Sequence, residues 1–566
     1  MSKYKKISIL ILIFTLGFVI RFYQLGKAPA GLFIDEAALG YNAYSILKTG
    51  KDEFGKSWPI VFRSVSDFKA PVYTYLVVPL IPIFDLSSFT VRLPSFLFSF
   101  LTLPLLYFLI TKLSDKYKIT LSLLAVLLLA VSPWHVLFGR TAYETSVALF
   151  FYLFGIYLFY LGLRKKIFLI LSGVIFVISL SAYHSERILV PITITILCWR
   201  FKEQLLQSFY RPFLIASIIL GLVMTIPTLS IISSPGFLAR ASGLNIFSHE
   251  RQVPAGFIDK LQLPVGGLIN SNLFLSSKEF FSLYFSYFSP RYMFDIGDYG
   301  SRSSFPELSA FYFWQFPFYI IGLFYLFKEK SLKELRFLTL LILIIAPIPA
   351  AITRDPYSTT RALPLVVPQI IIISLGILKI YSLLRLRVRV VSLTLFILVI
   401  IHSILHLYSS AIVLNEPMRA KDWNYGLEQV AKFSKTSKNI PIIVDNSRGE
   451  PYVQLLFYLK YDPSLYQKEN FEVPLSEYYT NMERNKNKKI GIVSTRTIDF
   501  EKDIFVDQYL ISDPLAISEN QAREHALTQV FEVKNKQGEV FFKGYRTNPP
   551  EKCKAFPNTT QCLDLK

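Results

Sequence analysis

Apolar runs of membrane-spanning length recur from Ile7 to Ser410, and this recurrence narrows the fold more than any other property of the chain. Inside a bilayer each backbone polar group must find its partner within the structure that crosses, so such runs fold as helices. One crossing takes about 20 mostly apolar residues. Spans are expected at about 7–22, 88–111, 120–137, 144–163, 167–183, 187–202, 212–232, 310–328, 337–353, 363–384 and 389–410, about eleven in all. The chain is therefore read as a polytopic α-helical membrane protein. Its 52% hydrophobic and 18% charged content agree, since soluble domains carry about 25% charged residues.

The formal charge of +20 invites a nucleic-acid reading. The distribution of the basic residues argues against it, because they sit in short clusters between apolar runs. Lys3, Lys5 and Lys6 precede the first span, and Lys112, Lys116 and Lys118 follow the second. Arg164, Lys165 and Lys166 come next, then Arg200, Lys202 and Arg211. Lys328, Lys330, Lys333 and Arg336 follow, then Arg385, Arg387 and Arg389. Every second loop is basic, which by the positive-inside rule puts those loops and the N-terminus in the cytoplasm. An odd number of spans then puts the C-terminal segment outside. The plasma membrane is the expected location. Met1–Lys6 and the apolar run after it lack a small-residue cleavage site and are read as an uncleaved first span.

The alternate loops differ in character. They hold Asp35, Glu36, Lys69, Arg140, Glu144, His184, Glu186, Arg187, Arg291, Asp295, Asp298, Arg354, Asp355 and Arg361. Ionisable groups near a membrane core cost about 2.5–3.5 kcal/mol each on insertion scales, and they commonly mark function. Gly31-Leu32-Phe33-Ile34-Asp35-Glu36-Ala37-Ala38 sets two adjacent carboxylates among apolar residues beyond the first span. Two readings of Asp35 stand open: an N-cap on a helix predicted over 36–48, or a catalytic carboxylate. Phe68-Lys69-Ala70-Pro71-Val72-Tyr73 leads into the apolar stretch 71–84, which is short for a span and contains Pro79 and Pro82. It is predicted to be an interfacial or re-entrant helix. Lys69 either snorkels at the boundary or places a cation near a phosphate.

Arg140 and Glu144 are four apart and share a helical face, as an ordinary pair or as substrate contacts. Tyr183-His184-Ser185-Glu186-Arg187 is wedged between apolar runs, and His184 alone suits a structural histidine as well as a substrate contact. The loop 233–309 is rich in Phe, Tyr, Ser and Gly, with Gly297-Asp298-Tyr299-Gly300 near its end. Aromatics beside polar groups suit a lipid–water boundary or a sugar platform. Arg361 opens a span, and its fork matches phosphate oxygens.

From about Asn415 the composition turns soluble, so residues 1–410 are read as the membrane domain and 411–566 as a small extracytoplasmic α/β domain. An amphipathic helix is predicted over 420–434, strands over 440–444 and 489–494, a helix over 452–461, and a hairpin over 531–542 broken at Lys536-Gln537-Gly538. No Gly-rich phosphate loop or nucleophile motif appears in it. Cys553 and Cys562 are close enough to close a small loop, and a disulfide fits an outer location. Cys198 lies within an apolar run. Asn558-Thr559-Thr560 fits the glycosylation pattern, which is common by chance.

Group transfer from a lipid-phosphate donor suits such a chain. The leaving group is a phosphate ester, so the reaction needs a carboxylate to deprotonate an acceptor hydroxyl and cations to hold the phosphate. Asp35 suits the first task, and Lys69, Arg187 and Arg361 the second. At these residues the sequence resembles a known family. Asp35-Glu36 after the first span, Lys69-Ala70-Pro71 before an aromatic-apolar run and Arg92-Leu93-Pro94-Ser95 in the next span resemble the GT-C glycosyltransferases. The likeness is to the protein O-mannosyltransferase and aminoarabinose-transferase branch, and it runs over about residues 7–410. Tyr183–Arg187, Ser289–Asp298 and Arg361-Ala362-Leu363-Pro364 also resemble segments of bacterial members.

The resemblance implies an outward-facing site, a polyprenyl-phosphate-linked sugar donor and inversion at the anomeric carbon. It implies Asp35 as base with Glu36 beside it, Lys69 and Arg92 at basic positions, and Glu144 as a second acid. The family's Lys-Pro-Pro stands here as Lys69-Ala70-Pro71. Arg140, His184, Glu186 and Asp298 are further candidate substrate contacts. No cofactor is required. Some branches use a divalent metal and others none, and no metal-ligand spacing appears here. The acceptor is a protein, a glycan or a lipid. Two other classes remain open: a transporter or flippase of lipid-linked sugars, which would be expected to show inverted repeats, and a membrane-anchored binding protein working through its soluble tail.

Overall fold

The computed structural model describes residues 3–64, 67–115, 117–235, 246, 271–437, 439–481, 483–555 and 562. The Asn558 glycosylation pattern lies outside them. The chain divides into two compact units. One comprises Met1–Tyr23, Ala70–Tyr73 and Pro94–Ala411, and the other Gln24–Lys69, Thr74–Leu93 and Ile412–Lys566.

Each of the eleven segments expected to span is helical over most of its length. Among the described residues six helices are long and apolar enough to cross a membrane: Ser88–Leu113, Glu144–Gly162, Arg211–Leu229, Lys330–Ile352, Leu363–Leu383 and Leu386–Val413. The pair Lys118–Ala130 and Pro133–Arg140, bent by 57°, makes a seventh if it is one span. Pro133 has no N–H and opens the second helix, so the break falls there. The number eleven is not reached on length. Helices Ile167–Ala182, Glu186–Arg200 and Phe316–Lys328 have 16, 15 and 13 residues. In helix Lys3–Phe22 the uncharged stretch runs only from Ile7 to Ile20.

Arg21 is a polar centre of the helical unit. It is fully buried and donates to Ser99 Oγ at 2.9 Å, Gly17 O at 3.1 Å, Ala130 O at 2.8 Å and Leu129 O at 3.1 Å. Its Nη2 also meets His135 Nδ1 at 2.9 Å. Arginine only donates, so Nδ1 is the accepting nitrogen. One side chain thus joins residues of four helices. Elsewhere Phe316–Lys328 and Val366–Leu383 pack backbone to backbone. A Cβ at Gly322 would lie 1.8 Å from Ile372 O, and one at Gly376 would lie 1.9 Å from Phe318 O. Small residues at such a crossing let helices approach closely.

The second unit is built on a mixed sheet. The strands are β1 (Phe62–Arg63), β2 (Phe68–Lys69), β3 (Ile442–Val444), β4 (Lys488–Ile490), β5 (Val493–Thr495), β6 (Tyr509–Ser512), β7 (Thr528–Lys534) and β8 (Val540–Arg546). β1 and β2 form a short hairpin, and the other six are ordered β4-β5-β3-β6-β8-β7. β3 runs parallel to β5 and β6, and the remaining pairs are antiparallel. Ile443, Leu510, Ile517 and Tyr545 form part of its core. Two expectations change here. The strand expected over 489–494 is a two-strand hairpin, because Gly491 turns the chain at φ 61°. The helix expected from about 420 is Leu427–Thr436, since Gly426 at φ 100° precedes it. The stretch 71–84 is helical as expected, with a 3-10 turn Val78–Leu80 at Pro79 between Pro71–Val77 and Ile81–Phe84. Cys553 and Cys562 are disulfide-bonded.

Candidate active site

Asp35 lies at the start of helix Ile34–Thr49, whose N-cap is Phe33. It is therefore the second helical residue and not the cap, so the capping reading is corrected. The backbone N–H of Phe33 is taken instead by Glu36 Oε2 at 3.2 Å. Asp35 in the first turn favours the helix dipole. Its side chain is 38% exposed, and Oδ1 meets Lys69 Nζ at 2.7 Å, while Lys69 is only 4% exposed. A buried ammonium beside a half-exposed carboxylate is the central feature of the site.

Two sets of contacts hold this pair. The first is Glu36 with Arg92, both buried. Arg92 Nε donates to Glu36 Oε1 at 3.0 Å and Nη2 to Oε2 at 2.9 Å. Its remaining donors reach Leu25 O at 3.2 Å, Pro29 O at 3.0 Å and Gly31 O at 2.8 Å. The guanidinium lies 5.9 Å from the Trp423 ring centre. Gly31, at φ 98°, passes so close to Trp423 that a Cβ would sit 2.3 Å from its carbonyl oxygen. Glu36, expected in the catalytic pair as the neighbour of Asp35, is turned inward and fixes the loop before the helix. Arg92 is its partner, spent on carbonyls and one carboxylate.

The second set anchors the hairpin that presents Lys69. Phe62 on β1 is registered with Lys69 on β2. The next residue, Arg63, donates to Glu472 Oε1 at 3.1 Å, and Lys488 Nζ takes the other Glu472 oxygen at 2.8 Å. The Arg63 N–H donates to the Tyr478 hydroxyl, which in turn donates to Asp52. Asp52 and Glu53 are both fully buried. Burial pushes the Asp52 carboxyl up to about 6 and the Glu53 carboxyl up to about 8. Glu53 Oε1 accepts from Asn42 Nδ2 at 2.9 Å. Sequence reasoning missed this network. Its only signal was an adjacent Asp52-Glu53 in an otherwise ordinary loop.

The other expected site residues belong to the helical unit. Arg140 is buried and donates to Ile20 O at 2.8 Å. Glu144 is buried in the first turn of helix Glu144–Gly162. Its neighbour Thr145 donates to Thr360 O at 2.9 Å. Asp298 Oδ2 accepts from Thr359 N at 2.7 Å and Thr359 Oγ1 at 2.8 Å, and Oδ1 accepts from Gly300 N at 2.7 Å. Burial raises the Asp298 carboxyl while these bonds oppose the rise. It clasps two loops. Arg361 pairs with Asp355 and donates to Thr353 Oγ1 at 2.8 Å. The loop 353–361 thus engages Asp298 through Thr359, Arg361 through Asp355 and Thr353, and Thr145, next to Glu144, through Thr360. Glu186 is buried at the start of helix Glu186–Arg200, and one of its oxygens lacks a hydrogen-bond partner among the described residues. His184 and Arg187 flank it, half-buried. Beside this loop Tyr357 stacks with Tyr287 and Tyr292, each at 5.4 Å between ring centres. Among the described residues no three His, Cys, Asp or Glu side chains gather as a metal site.

Residues 68–231 match the family model for dolichyl-phosphate-mannose-protein mannosyltransferases. No curated protein matches the chain. Among solved structures, ArnT from Cupriavidus metallidurans in the apo state is similar at 11% identity and a TM-score of 0.52, over 95% of this chain and 98% of that one. The same protein bound to undecaprenyl phosphate is similar at 11% identity and a TM-score of 0.50, over 95% and 97%. The archaeal oligosaccharyltransferase AglB from Archaeoglobus fulgidus, in complex with an inhibitory peptide and a dolichol-phosphate, gives 10% identity and a TM-score of 0.47, over 95% and 74%. The chain shares the ArnT fold. The resemblance to dolichyl-phosphate-mannose-protein mannosyltransferases holds for the segment 68–231, and the likeness to ArnT is one of fold.

Proposed function

We propose that the chain is a membrane glycosyltransferase that moves a sugar from a polyprenyl-phosphate donor to an acceptor hydroxyl on the outer side of the membrane. The observation that carries this reading is the Asp35–Lys69 pair at 2.7 Å. A carboxylate within reach of solvent beside a cation held by burial supports the reading. The match over residues 68–231 to mannosyltransferases that use a lipid phosphate supports it, as does a shared fold with a protein solved with undecaprenyl phosphate. The disulfide Cys553–Cys562 belongs to the same unit as Asp35. Disulfides persist outside the reducing cytoplasm, which supports the outer side.

In this reading the acceptor hydroxyl hydrogen-bonds to the Asp35 carboxylate. Its oxygen attacks the anomeric carbon as the bond from that carbon to the phosphate oxygen breaks. The proton passes to Asp35, and the departing phosphate carries the electron pair. Lys69 balances the charge that collects on the phosphate oxygens. A single displacement of this kind inverts the anomeric centre. Glu36 and Arg92 act as positioning residues, because they set the loop that aims Asp35.

The test is transfer from labelled polyprenyl-phosphate sugars by the purified protein in nanodiscs, with the labelled product identified. Asp35→Asn should lose on the order of 10²–10⁴ in turnover, the usual worth of a general base, with its thermal melt unchanged. Lys69→Met should weaken donor binding and turnover together. Full turnover by Asp35→Asn would sink the assignment.

A further inference from the structure

The soluble part of the second unit has a cleft with no part in the scheme above. It opens between the end of helix Pro463–Glu469 and the β4–β5 hairpin, with a volume of about 260 Å3. Its lining is mostly polar, and Phe471 stands in it 74% exposed. A phenylalanine at that exposure contributes little to a core. Set among amides and hydroxyls in a concave surface, its ring face is open to the C–H face of a ligand.

The cleft is preorganised. The Asn470 carboxamide is locked on the Lys489 backbone, donating to its carbonyl at 2.7 Å and accepting from its N–H at 2.8 Å. The Tyr461 hydroxyl donates to Glu469 at 2.9 Å. Arg496 is spent on Asp503, with bonds of 2.8 and 2.6 Å. Lys488 is spent on Glu472. Among the described residues, the amino groups of Asn485 and Asn487, the Lys489 ammonium and the Ser494 hydroxyl have no protein partner to donate to. Two of the three lining cations are thus already paired with carboxylates, and the Glu469 carboxylate also lines the cleft. The site does not concentrate positive charge, which disfavours a phosphate or a polyanion. Unspent amide and hydroxyl groups around one exposed ring suit a ligand with many hydroxyls and an apolar C–H face.

We propose that this cleft binds a neutral saccharide unit. The proposal rests on the glycosyltransferase reading for its biological sense, but its chemistry stands on the cleft alone. The sugar belongs either to the acceptor glycan or to the donor.

The test uses the full chain in nanodiscs and saturation-transfer NMR with mannotriose, galactotriose and chitotriose as probes, and with inorganic phosphate and glycerol phosphate as anionic controls. At least one saccharide should bind. Phe471→Ala and Asn487→Ala should each weaken that binding about tenfold or more. Both positions are exposed, so the thermal melt should not move. Competition by a short-chain polyprenyl-phosphate sugar would assign the cleft to the donor, and its absence to the acceptor. If no saccharide binds, if both variants bind as the parent does, or if only the anions bind, the proposal is overturned. Asp35-dependent transfer measured on the same samples reports separately on the catalytic reading, so the two can fail independently.

Discussion

Glu53 keeps its proton to about pH 8 in the folded chain because it is fully buried beside Asp52. In the unfolded chain the same carboxyl ionises near its ordinary value of 4.5. Between these values the unfolded state holds fewer protons, so stability falls as pH rises from about 4.5 to about 8. Asp52 adds the same slope up to about 6. Glu53→Gln keeps the acceptor for Asn42 and removes the ionisation. Thermal melts of the full-length protein across pH 5 to 8 should show the variant gaining on the parent by at least about 1.4 kcal/mol at the alkaline end, one unit's worth of shift. Parallel curves would show that Glu53 is already ionised in the fold. The same scale shows what chain order conceals. Glu36 follows Asp35 directly, yet a helix turns successive side chains by roughly 100°, so one meets Lys69 and the other Arg92.

Among the elements, the crossing of Phe316–Lys328 with Val366–Leu383 depends on two glycines that sequence reading passed over. A methyl at Gly322 would meet the Ile372 carbonyl at 1.8 Å, and backbone cannot rotate away as a side chain does. Gly322→Ala should therefore lower stability by about 1–3 kcal/mol, the usual cost of overpacking, read as a fall in the melting temperature in detergent. Gly449→Ala, where nothing lies within 4 Å of the added carbon, is the matched control. Equal melts for the two would show that the helices separate freely. Elements of the sheet-bearing unit were legible wherever a hydrophobic alternation met a turn residue, as in β7, β8 and the Gly538 turn between them. They were misplaced where one glycine divided a run. Gly491 split one expected strand into β4 and β5, and Gly426 delayed the expected helix to Leu427.

At the scale of the whole chain, the alternation of basic loops predicts one orientation. A cysteine at Ser464 should react with a membrane-impermeant maleimide added to intact cells, and one at Lys165 only after lysis. The reverse pattern would invert the proposed topology and remove Asp35 from the outer side. What the sequence determined by itself was the solvent in which most of the chain folds, the helical class that follows, an expected sidedness for its loops, and the candidacy of Asp35 and Lys69. Each depends on composition or on local spacing, which a linear chain carries. The tertiary structure alone decided which carboxylate is exposed and which is buried, that Arg21 and Arg92 are buried hydrogen-bonding centres, and that Gln24–Lys69 and Thr74–Leu93 group with Ile412–Lys566. It also decided that Asp298 and Arg361 are engaged with Thr359 and Asp355. These facts rest on contacts such as that of Gly31 with Trp423, far apart in the chain, and local periodicity does not encode which distant residues will meet.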